Sequence, residues 1–344
     1  MMILAGMLLL FSLPVHGMDF TAPPAPEAVA EALPEEADSF SEGLWNVIVF
    51  ALKEWSPSLH GAMSICLRTA AIILLCSVLQ EFAPSVSARS MELAATVAVA
   101  LSLLEPSTAL IRLGVEAVSQ LSEYGKLLLP VMTGALAAQG GITSSTALYT
   151  GTALFDALLS SCISKLMIPM IYLYVTLSIA NAAIHEDILA QIKSLIKWAM
   201  TWILKIILYL FTGYMAITGV VSGSADAAAI KAAKITISGA VPVIGGILSD
   251  ASEAVLVSAG MLRSAAGVYG VLTILALFAK PFVQLGVQYL LLKGLSAVCS
   301  AFSSNGAAKL VGEFSSIMGI LLAMVSTQSV LLLISTVCFM KGVM

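Results

Sequence analysis

Three long stretches without a single charge constrain this chain most: Phe314 to Met340, Leu166 to Ile184 and Ile206 to Ala225. Each matches the ~20 residues that a helix needs to cross a hydrocarbon core. The rest of the chain leaves no room for a soluble alternative. It is 59% hydrophobic and 10% charged, with a mean hydropathy of +1.01, whereas soluble domains carry about 25% charged residues. The expected fold class is all-α, a polytopic helical membrane protein.

Charge is distributed unevenly. Between Met18 and His60, eight acidic residues face one lysine, a net −7 that leaves +3 for everything else. No basic patch or stripe of the kind that binds nucleic acid is present. The five cysteines (Cys66, Cys76, Cys162, Cys299, Cys338) all fall in apolar segments without a CxxC pair, so they read as small buried hydrophobes.

Along the chain, residues 1–17 have the apolar core and small-residue end of a signal peptide without its basic start, and read as a cleaved signal or an uncleaved anchor. Residues 18–43, rich in Pro, Ala and Glu, have the composition of a disordered acidic tether outside the cytoplasm. Residues 44–60 read as a short interfacial helix anchored by Trp45 and Trp55. Residues 61–344 form the multi-pass domain. Its expected spans include Ala62 to Phe82, Met91 to Ile111, Thr146 to Ser164, Leu166 to Ile184 and Trp198 to Val221, followed by Ala265 to Leu292 and Phe314 to Met340. That makes about seven full spans, to which two interrupted, re-entrant Pro/Gly segments are added. Three stretches are amphipathic: Leu113 to Lys126, His185 to Lys197 and Ala225 to Gly239. In the second, Ile188, Leu189, Ile192, Leu195 and Ile196 share the face of a helix lying in the interface.

The interrupted segments match each other at an offset of 112 residues. Leu129-Pro130-Val131-Met132-Thr133-Gly134 faces Val241-Pro242-Val243-Ile244-Gly245-Gly246; Gly140 and Gly141 follow the first copy and Asp250 the second. Proline removes a backbone donor and glycine permits unusual angles, and in lipid the freed groups need protein or cavity water. One reading is an internal repeat, with halves 62–184 and 185–344, enclosing a pathway as in secondary transporters. The other is ordinary use of Pro and small residues in a biased composition.

Glu105 and Asp156 are the intramembrane charges hardest to dismiss, either as partners of a basic residue inside the bundle or as proton or ion sites. Lys205 and Lys280 can snorkel. Histidines at 16, 60 and 185 are scattered, and no HExxH, GxSxG or P-loop pattern occurs. No enzyme, metal or cofactor is expected. Lys and Arg divide between both sides of this topology, so the signal and tether carry the orientation.

The stretches "LLPVMTGALAAQGGITSS" and "SGSADAAAIKAAKITISGAVPVIGGILSDASE" resemble the stage III sporulation protein AE family of endospore-forming bacteria, over nearly the whole chain. The resemblance implies a large multi-pass subunit in the mother-cell membrane around the engulfed forespore. It also implies partners: the other membrane proteins of the stage III sporulation A operon and, through them, a forespore-made channel partner. The family leaves two activities open, a channel or permease-like subunit supporting forespore development, or a non-conducting assembly platform.

Overall fold

The computed structural model describes residues 23–30, 33, 40–82, 88–138, 142–184, 186–217, 265–302 and 306–342, and all the regular structure among them is helical. The helices are α1 (Phe40–Phe82), α2 (Ala88–Ala138), α3 (Ile142–Cys162), α4 (Ile168–Ile184), α5 (Asp187–Ile217), α6 (Ala265–Phe302) and α7 (Gly306–Gly342). Among the described residues, six helical stretches are long and apolar enough to cross a membrane. They sort by burial. In α7, 94% of the most apolar window is buried, against 22% in α1. Helix α7 is therefore the central strut, packed by α2, α3, α4, α5 and α6, while α1 covers α6 and α2 from outside. Outward faces carry Leu74, Leu79, Leu101, Leu154, Leu173, Trp202 and Leu210, the apolar surface that lipid requires.

Several expected breaks are absent. The span at Met91, the amphipathic stretch at Leu113 and the first Pro/Gly segment form one 51-residue helix, α2, with Pro106 and Pro130 inside it. The helix runs through Pro130 and Gly134 to Ala138, so this half of the proposed interrupted pair is helical there. Gly140 and Gly141 lie outside the described residues, as does the whole second copy with Pro242, Gly245, Gly246 and Asp250.

Chemistry at Pro106 explains how the chain continues past a proline. A proline at 106 cannot donate to the carbonyl four residues back, at Ser102. Arg68 of α1 supplies the missing donor: its Nη2 reaches the Ser102 carbonyl at 2.9 Å and its Nε the Ser102 hydroxyl at 3.2 Å. Such a transferred bond is how a freed backbone group is satisfied in a membrane protein.

The two spans expected on either side of Lys165 also merge. Cys162 passes through a π-helical turn, Ile163–Met167, straight into α4, with the Ile168 amide bonding back to the Ile163 carbonyl. Pro169 follows immediately. One wide turn absorbs the donor that the proline lacks, and Lys165 sits on the exposed side.

Nor is the expected interfacial helix separate: residues 44–60 are the first half of α1. Part of the acidic lead-in is docked. Glu27–Ala30 makes a single helical turn, Val29 and Leu33 are buried, and the Ala25 amide donates to the Tyr269 hydroxyl of α6 at 3.3 Å.

Small residues set the helix spacing, as expected where lipid supplies no hydrophobic drive between helices. Gly125 of α2 receives Leu332 of α7; an added Cβ would lie 2.6 Å from Leu332 Cδ2. Gly151 of α3 receives the Tyr214 ring of α5, whose hydroxyl donates to the Ala147 carbonyl at 2.8 Å.

Gly151→Ala overpacks that seat and lowers unfolding stability by about 1–3 kcal/mol. Gly213→Ala, with nothing within 4 Å of its added carbon, is neutral or stabilising by up to about 1 kcal/mol; thermal melts in detergent separate them. Arg68→Ala costs about 1–3 kcal/mol by stranding the Ser102 carbonyl. Adding Pro106→Ala, which restores a local donor, recovers most of that loss in the same melts.

Candidate functional site

Polar chemistry in this bundle collects along α7. The uncharged stretch Phe314 to Met340 carries Ser326, Thr327, Gln328 and Ser329 at its centre, and all four are buried. Together with Glu313, Ser315, Ser316 and Ser335 they give an otherwise apolar helix a polar seam facing α2 to α6.

The upper part of the seam lies near the α7 N-terminus. The Gly306 amide, which has no partner within its own helix, donates to Glu92 Oε1 of α2 at 3.0 Å. Two turns on, Glu313 accepts from Lys193 Nζ of α5 at 2.7 Å and from the Tyr174 hydroxyl of α4 in a short hydrogen bond. Lys197, one turn beyond Lys193, donates to Ser316 Oγ at 3.0 Å, and Glu313 lies within its electrostatic reach. Beside these groups is a cavity of about 190 Å³, lined among others by Ser178, Asn181, Asp187, Lys193, Lys309 and Glu313. It is large enough for several waters. The buried Ser178 hydroxyl, on its wall, has no hydrogen-bond partner.

This pairing corrects the expectation for His185 to Lys197. Its apolar residues Ile188, Ile192 and Leu195 do face outward. Its lysines, however, point into the bundle, and the segment is the start of α5 rather than a separate interfacial helix. Glu313 is the reason, since a carboxylate across the interface offers the lysines more than a screened surface position would.

Lower on α7, Gln328 Nε2 donates to Asp156 Oδ1 of α3 in a short hydrogen bond, and Ser122 of α2 donates to Asp156 Oδ2 at 2.8 Å. Thr152 and Ser335 share a buried hydrogen bond one turn further at 2.6 Å. Asp156 thus ties α2, α3 and α7 together through an amide and a hydroxyl, with Lys126 of α2 within its electrostatic reach. Three polar atoms beside this junction in the sequence, Ser326 Oγ, Gln328 Oε1 and Ser329 Oγ, are buried without a partner.

The other singled-out residues scatter. Glu105 is exposed on the outer face of α2, as is Pro130. Gly134 is half-buried near the same helix's end. Lys280 lies 3.8 Å from Glu54 of α1. Only Asp156 lies on the seam. The seam's own residues were missed because serines and a glutamine inside an apolar stretch read as minor interruptions; the signal was "STQS" at the middle of Phe314 to Met340. Among the described residues, no group of three or more His, Cys, Asp or Glu side chains is placed to hold a metal.

Six helices long and apolar enough to cross a membrane, gathered around one central helix with buried serine, threonine and glutamine side chains, make an all-helical bundle of the membrane class. The family model for stage III sporulation protein AE matches residues 30–342, and the chain belongs to that family. A relative from Bacillus subtilis (strain 168), stage III sporulation protein AE, is 22% identical over 169 residues. That match takes in 49% of this chain and 42% of the relative, so the chain spans less than half of the relative's length. No solved structure matches.

Glu313 faces two lysines, whereas Lys193 is one of two cations facing one acid. Glu313→Gln therefore destabilises the protein by about 1–3 kcal/mol, the scale of losing hydrogen bonds to a charged group in a part-buried pair, and Lys193→Gln costs less because Lys197 and Tyr174 remain beside the carboxylate. Equal losses in detergent unfolding would contradict this assignment.

Proposed function

We propose that the chain is a membrane subunit of the sporulation complex linking mother cell and forespore, and that it works as a channel or permease-like component. One observation carries this reading: the central helix α7 holds buried hydroxyl and amide atoms without partners at its middle, and a polar cavity with the partnerless Ser178 hydroxyl on its wall lies about 20 Å away along the same helix, toward its N-terminal end. Orphaned polar groups are costly in a protein interior, and within a membrane-spanning bundle they are tolerated where water or solute satisfies them. The track supports a small polar solute or ion, with Glu313, Lys193 and Asp156 as the charged stations. No catalysis is part of the reading. In this reading the partners are the other A-operon membrane proteins and a forespore-made channel protein, the site of action is the mother-cell membrane around the forespore, and the signal-like start puts the acidic lead-in outside the cytoplasm.

A second observation favours the platform reading. At 1.5 Å per residue, the 43-residue α1 and 51-residue α2 run about 65 and 76 Å, roughly twice a bilayer's hydrocarbon thickness. Their ends project far enough to hold other subunits.

Reconstitution of the purified chain in vesicles separates the two. A channel releases small entrapped solutes, and Ser326→Leu with Ser329→Leu abolishes release while co-purification with partners persists. Tight vesicles at every solute size, with partner binding intact, leave the platform.

A further inference from the structure

The longest helix presents a face that lipid cannot cover. On α2, Glu105, Arg112, Glu116, Ser119, Glu123 and Lys126 are all exposed. Their spacings of seven, four, three, four and three residues put them in one stripe. It is about 32 Å long at 1.5 Å per residue, close to the ~30 Å of a hydrocarbon core. Bonds within the stripe hold it in order: Ser119 donates to Glu123 and Gln120 to Glu116, each at 3.2 Å.

Helix α7 serves as a ruler for depth. Gly306 meets Glu92 of α2, Gly114 faces Leu321, and Gln328 shares Asp156 with Ser122. On the same ruler Ser316 meets Lys197 of α5, and Phe155, next to Asp156, stacks on Phe211 with centroids 5.5 Å apart. The stripe therefore lies at the level where α5 exposes Trp198, Trp202, Ile206 and Leu210, and α3 exposes Leu154 and Leu158. At one depth, one flank of the bundle is charged and another is apolar. A slab of lipid placed to cover α5 also covers the stripe, and five charges facing hydrocarbon are prohibitive.

We infer that the stripe packs against the same stripe of a second copy of this chain. Copies in one membrane run parallel, so like residues sit at like heights. The stripe's charge order suits that arrangement: Arg112 is one turn from Glu116, and Lys126 is one turn from Glu123. Each base can thus reach an acid of the neighbouring copy one turn away, and the surface is complementary to itself. Ser119 and the exposed Ala109 let the two helices approach closely. The inference rests on the chain lying in a bilayer, as proposed above, and not on its conducting anything.

Cross-linking of the full chain in native membranes tests it. The five cysteines are replaced, and a single cysteine is placed at Ser119 or, as a control on the apolar flank, at Leu158. Oxidant, or a thiol cross-linker of about 10 Å (roughly the spacing of packed helices), yields a product of twice the chain's mass from Ser119 and none from Leu158. Arg112→Glu lowers that yield about tenfold through like-charge apposition. Adding Glu116→Arg restores it, which a merely misfolded variant does not do. A product of any other mass, or no product from Ser119 with either reagent, overturns the inference. Loss of solute flux with the Ser119 product intact counts against the conduit alone.

Discussion

Hydrocarbon offers no hydrogen bonds, and that single constraint organises the molecule. Every polar atom within the bilayer has to find a protein partner, reach enclosed water, or lie against another polar surface. Arg68 answering the carbonyl freed by Pro106 is the first solution. The cavity beside Glu313 is a site for the second. The outer stripe of α2 calls for the third. The apolar faces need no special account, because they are what the solvent demands. The exceptions carry the information, and they lie on two helices, α2 and α7.

Glu313 and Asp156 do different work on the seam. Glu313 draws Lys193 and Tyr174 inward and so fixes how α4 and α5 dock on α7. Asp156 is bound by neutral donors from α2 and α7, and Thr152 with Ser335 adds a second polar tie between α3 and α7. Hydrogen-bonded polar pairs inside membrane bundles contribute modestly, on the order of 0.6 kcal/mol on average. Their larger effect is on register, since a charged group in an apolar interface tolerates only one rotation of its helix.

Much of the architecture was legible from the sequence. Uncharged stretches of membrane length gave the helical class, and Asp156 stood out as a carboxylate with nowhere polar to go. Breaks were over-counted. Pro130 and Lys165 are interruptions in one dimension, but on a helix surface a proline that faces outward or follows a π turn disturbs only one bond, and a lone lysine on the exposed side can extend away. Partnerships were illegible because they are long-range: nothing local tells that Lys193 meets Glu313 across 120 residues, or that Arg68 serves a proline on the next helix. The proposed second Pro/Gly copy, Val241 to Asp250, lies outside the described residues, so the repeat keeps only its sequence argument.

The central position of α7 also has a temporal side. In chain order this helix follows every helix it contacts, so the ribosome delivers α1 to α6 to the membrane before their common core exists. Until then Lys193, Tyr174 and Asp156 lack the side chains that complete their hydrogen bonds, and Gly125 has no leucine to receive. Those bonds therefore form only once α7 has entered the bundle, after the helices that it ties together.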